Sequence, residues 1–113
     1  MAPTKLPDPL SRRYLLEREV DPTKALAYAE AYLEAGRELE AIEFLARAGA
    51  TERLEELQAA AVERGDVFLM KAVSGAIGRE PSAEIWRELR EAAARAGRER
   101  DAETAARLAK VEA

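Results

Sequence analysis

Apolar residues along this chain recur at three- and four-residue spacing, and nowhere alternate with polar ones over the length of a strand. Ala25, Tyr28, Ala29 and Tyr32 form one such stripe, and Leu54, Leu57, Ala61 and Val62 a second. Ile85, Trp86, Leu89 and Ala93 form a third. The pattern predicts an all-α chain. Its boundaries are written in punctuation residues. Asp8–Pro9 and Asp21–Pro22 each pair a carboxylate cap with a proline suited to the first turn. Gly36, Gly49, Gly65, Gly78 and Gly97 sit where helices must stop, often on a left-handed residue. The predicted helices are therefore a short one through Tyr14, Leu15 and Leu16, then one ending at Ala35, and one from Arg37 to Ala48. A helix capped by Thr51 follows, reaching Gly65, and one capped by Asp66, reaching Gly78. The last two run from Ala83 to Ala96 and from Arg98 to Val111. Val67 to Met70 is an unbroken apolar run, the mark of a helix buried on all sides. Met1 to Pro9, with three prolines, reads as an extended tail.

One 29-residue step separates Gly36 from Gly65 and Gly49 from Gly78, with longer and shorter segments alternating. Such a rhythm is expected of helix pairs stacked side by side. From Ala27 to Ala48 the chain reads AYAEAYLEAGRELEAIEFLARA. Tyr32 lies four residues before the turn glycine Gly36, and Ala41 and Ala48 lie five and twelve after it. Around Gly97 the same frame holds Trp86, Leu89, Ala102 and Ala109. In these residues the chain resembles the tetratricopeptide repeat, a helix–turn–helix unit of about 34 residues. It departs from that family in its shorter step, in Met70 and Ile77 where alanines are expected, and in Gln58 and Arg90 where a small residue is expected.

The resemblance covers about residues 21–113. It implies antiparallel helix pairs stacked as a short right-handed superhelix of about seven helices. Three pairs, over about 21–49, 50–78 and 79–113, would follow a tail and short capping helix over 1–20. It also implies a concave groove lined by the first helix of each pair, where a peptide or helix docks. The matching positions are Leu26, Glu30, Leu33 and Glu34, then Glu55, Ala59, Val62 and Glu63, then Arg87, Glu91, Ala94 and Arg95. Helical geometry alone places Leu26, Glu30 and Leu33 on one face and Ala25, Tyr28, Ala29 and Tyr32 on another. Leu33 and Val62 fit a groove floor and a core equally well. Trp86 and both tyrosines fit the core, with the tyrosine hydroxyls at its rim.

Composition narrows the function. The chain of 113 residues is 48% apolar and 35% charged, enough for a core under a charged coat. It has neither histidine nor cysteine, so the commonest base, metal ligand and thiol nucleophile are missing. The pairs Glu30 with Glu34 and Glu52 with Glu56 read as solvated helix surface, and Ser74 has no base beside it in sequence. No enzyme, cofactor or metal is expected. The net charge of −4 disfavours nucleic acid, and no apolar run suits a membrane. Without cysteines or a leader-like N-terminus, the cytoplasm is the expected location. Residues 25–60 carry eight acids against three bases, which favours a protein or peptide partner bearing basic residues. A second copy of the chain, burying the groove or an apolar face in a homodimer, is the alternative partner.

Overall fold

The computed structural model describes residues 5–111, and among these the chain is all-α with no strand. Seven helices follow in order: α1 Pro9–Glu17, α2 Pro22–Glu34, α3 Glu38–Ala48, α4 Thr51–Arg64, α5 Val67–Ile77, α6 Ala83–Arg95 and α7 Glu99–Val111. Of the expected tail, residues 1–4 lie outside the described part, and residues 5–8 form no regular structure. Residues 112–113 also lie outside it.

The helix starts are built as their residues dictate. Asp8 accepts from the Ser11 amide at 2.8 Å, and this bond holds its carboxyl below the usual carboxylate range. Asp66 accepts from the Leu69 amide at 3.0 Å, and Ser82 from Ile85 at 3.2 Å. Each bond satisfies an amide that has no partner within its helix. Thr51 is not the cap expected of it, because it is already the first residue of α4. At the other ends all five turn glycines have positive φ. The amides after Gly36, Gly65 and Gly97 bond back to Tyr32, Ala61 and Ala93 carbonyls at 2.8–2.9 Å.

The 29-residue step extends further than the glycines. Helices α1, α3 and α5 begin at Pro9, Glu38 and Val67, one step apart each time, and α2 and α4 begin at Pro22 and Thr51. By this register α1 corresponds to α3 and α5. Before α6 the step lengthens by three residues, in the stretch that holds Pro81.

The chain forms two compact units, Met1–Leu54 and Glu55–Ala113, divided within α4. In the first, α2 packs against α3. Ala25, Ala29 and Tyr32 of α2 are buried with Ala41, Ile42, Phe44 and Leu45 of α3. The alanines let the two backbones approach, and the Tyr28 and Tyr32 rings lie 5.3 and 5.8 Å from Phe44. Burying a side chain the size of Leu45 or Phe44 contributes about 1.5–3 kcal/mol. The Tyr32 hydroxyl is not at a rim: it is buried without a hydrogen-bond partner among the described residues. Helix α1 has no buried residue and is held by arginines instead. Arg12 donates to the Glu40 carbonyl at 2.9 Å, its guanidinium 5.6 Å from the Tyr32 and Phe44 rings. Arg47, near the end of α3, donates to the Leu16 carbonyl at 2.7 Å. These two bonds lay α1 beside α3 in the same direction.

In the second unit α6 packs along α7, and α5 touches α7. Leu57 and Ala61 of α4, Leu69, Met70 and Val73 of α5, and Trp86, Leu89 and Ala93 of α6 are buried. Trp86 and Leu89 are thus core residues. Phe68 is not: it is 70% exposed, contrary to the reading of α5 as buried on all sides. Four consecutive helical residues point around most of a full turn. With α5 buried along Val67, Met70, Val73 and Ser74, the outward direction falls to Phe68, Lys71 and Gly75.

Candidate functional site

None of the twelve positions assigned to a groove is buried. In the first unit, Leu26 and Glu34 are exposed on α2, while Glu30 and Leu33 are half-buried. Glu30 is already engaged, since Arg53 in the first turn of α4 pairs with it at 2.7 Å. Both members are partly exposed, so the pair contributes little, about 0–1 kcal/mol.

In the second unit α4 presents Glu55, Ala59, Val62 and Glu63 at the expected spacing, with Val62 half-buried and the others exposed. Three of them, Glu55, Ala59 and Val62, line an open depression of about 390 Å³ together with Gln58, Arg79 and Ile85. Glu63 lies outside that lining. Arg87, Glu91, Ala94 and Arg95 are exposed on α6 but do not line it either.

The residues missing from the sequence reading explain themselves. Gln58 stands where the repeat pattern expects a small side chain, and it lines the hollow. Ile85 shares its helical stripe with Trp86 and Leu89, so periodicity sends it to the core, yet it is only half-buried. Arg79 lies in the link between α5 and α6, where no periodicity operates, and only tertiary structure brings it to α4. Its one sequence signal is the residue after a helix-ending glycine.

Chemically the hollow has three apolar lining residues, Ala59, Val62 and Ile85. A carboxylate, Glu55, and a guanidinium, Arg79, complete the charged part of the lining, and neither has an ion-pair partner among the described residues. The amide of Gln58 adds both a donor and an acceptor. This is a surface that can seat an apolar side chain and hold the groups flanking it. It offers no nucleophile with a base beside it. Among the described residues no group of three or more Asp or Glu is placed to hold a metal ion, and no helix is long and apolar enough to cross a membrane. Compared with models of known protein families, with curated proteins and with solved structures, the chain matches none of them.

Proposed function

We propose that this chain is a small helical-repeat interaction module, similar to tetratricopeptide-repeat proteins, that binds a partner protein without catalysis. In this reading its helices form antiparallel pairs stacked in a right-handed superhelix, and it works in the cytoplasm. The partner contributes a peptide or helix with an apolar anchor and basic flanks. The observation that carries the reading is the hollow against α4, whose lining combines apolar Ala59, Val62 and Ile85 with Glu55, Gln58 and Arg79 and is open to solvent. Open apolar pockets with a few convergent polar groups are where side chains of partners anchor. Support for the pairing comes from the contact of α2 with α3 and of α6 with α7. The acid surplus over residues 25–60, which includes Glu55, supports a basic partner. Glu55 would pair with a lysine or arginine beside the anchor, and Arg79 would hold a peptide carbonyl or carboxylate.

Panning a random peptide library against the chain tests this. Basic amphipathic sequences should be enriched, and Val62→Glu should abolish their capture while leaving helicity unchanged. No enrichment, or enrichment that Val62→Glu leaves intact, would overturn the proposal. The fold tolerates the change because Val62 is only half-buried and reaches solvent in the open hollow.

A further inference from the structure

Helix α1 docks without a buried anchor. On the 29-residue register, Arg12, Leu15 and Leu16 stand where α3 has Ala41, Phe44 and Leu45. Those three residues of α3 are fully buried, whereas Leu15 and Leu16 are half-buried and α1 has no buried residue at all. Two side-chain bonds hold the helix in place. Arg12 Nη2 donates to the Glu40 carbonyl at 2.9 Å, and Arg47 Nη2 to the Leu16 carbonyl at 2.7 Å. The pairing of Arg13 with Glu17 at 3.1 Å, and the Arg18 guanidinium 4.3 Å from the Tyr14 ring, lie within the α1 segment and add no tie to α2 or α3.

The docked helix also strands two polar atoms. Arg12 Nε and the Tyr32 hydroxyl are both buried with no hydrogen-bond partner among the described residues. They belong to one cluster: the Arg12 guanidinium lies 5.6 Å from the Tyr32 and Phe44 rings, and those rings stack at 5.8 Å. A buried polar atom without a partner has given up its water for nothing, so it favours any state that returns it to solvent.

We infer that α1 is a releasable strap, which opens as one unit while α2 and α3 stay packed and so bares the Tyr32–Phe44 pair. Docking covers two aromatic rings but strands two polar atoms, and undocking reverses both. The opposed effects leave the docked state only narrowly preferred. Nine residues are too few to hold a helix in water, so α1 melts as it leaves. The α2–α3 contact survives because Ala25 and Ala29 remain packed with Ala41 and Leu45, and Tyr28 with Phe44. None of these residues belongs to the α4 hollow, and the inference does not depend on the proposal for that hollow.

Native-state amide hydrogen exchange of the full chain, read by NMR, tests this. The amides of residues 12–17 should share one opening constant, about tenfold or more above that of the α2 and α3 amides. Tyr32→Phe removes the stranded hydroxyl and keeps the ring, so it should slow exchange across α1 about fivefold or more. Arg47→Met removes one tie at an exposed position in the last turn of α3, and should speed α1 exchange about threefold. If Tyr32→Phe slows exchange in α2 and α3 but leaves α1 unchanged, the hydroxyl is relieved only by global unfolding and the inference fails. It fails equally if the α1 amides exchange only with the whole unit, or fray one residue at a time.

Discussion

A Cβ on Gly65 would lie 2.3 Å from the Cα and N of Ala93, so the α4–α5 turn and the backbone of α6 touch with no room for a side chain. Gly65 also holds φ at +70°, where other residues are strained by about 1–2 kcal/mol. Gly36 has a similar φ of +74° but open space around it. The two glycines therefore separate backbone strain from steric exclusion. Gly36→Ala should cost about 1 kcal/mol, whereas Gly65→Ala should cost about 3 kcal/mol or more, because α6 must also move. Urea unfolding of both variants measures the difference; equal losses would mean that the contact with Ala93 carries no weight. In sequence the two glycines look alike. Both end a helix in the same register, and only the tertiary contact distinguishes them. Residue-level chemistry was legible where it is local, as in the caps at Asp8 and Asp66. It was not legible where it depends on a neighbour far along the chain, as with the buried Tyr32 hydroxyl and the exposed Phe68.

Helix α5 shows the same limit for an element. Its ends are set by Asp66 and Gly78 and were readable, because a cap acts within four residues. Which of its faces is covered was not, because Val67–Met70 supplies apolar groups in nearly every direction. Gly75 lies on the outward side with an ordinary helical φ and open space for a side chain. Nothing in the packing requires a glycine there. Gly75→Ala should raise stability by about 0.5–1 kcal/mol through helix propensity alone, seen as a higher urea midpoint. A loss of stability would mean that α5 is packed along that face. Helix α1 was readable as a helix from Asp8 and Pro9, but its kinship with α3 and α5 emerged only with helix starts in hand. It contributes Arg12 where α3 has the buried Ala41, and a guanidinium at a small-residue position hides the repeat from pattern reading.

For the whole molecule, the helix count and order followed from the spacing of apolar residues and from the caps, prolines and glycines that punctuate them. The candidate site was legible only in part. Glu55, Ala59 and Val62 share one face of one helix, and period alone brings them together. Arg79 and Ile85 reach the same hollow through the link after α5 and the first turn of α6, which no period encodes.

The account turns on the α4 hollow being a docking site for a basic amphipathic segment. A ¹⁵N–¹H correlation spectrum of the chain, titrated with a peptide enriched by panning, tests that claim at single residues. Saturable shifts should concentrate at Glu55, Gln58, Ala59, Val62, Arg79 and Ile85. Shifts confined to other helices, or none at millimolar peptide, would contradict it.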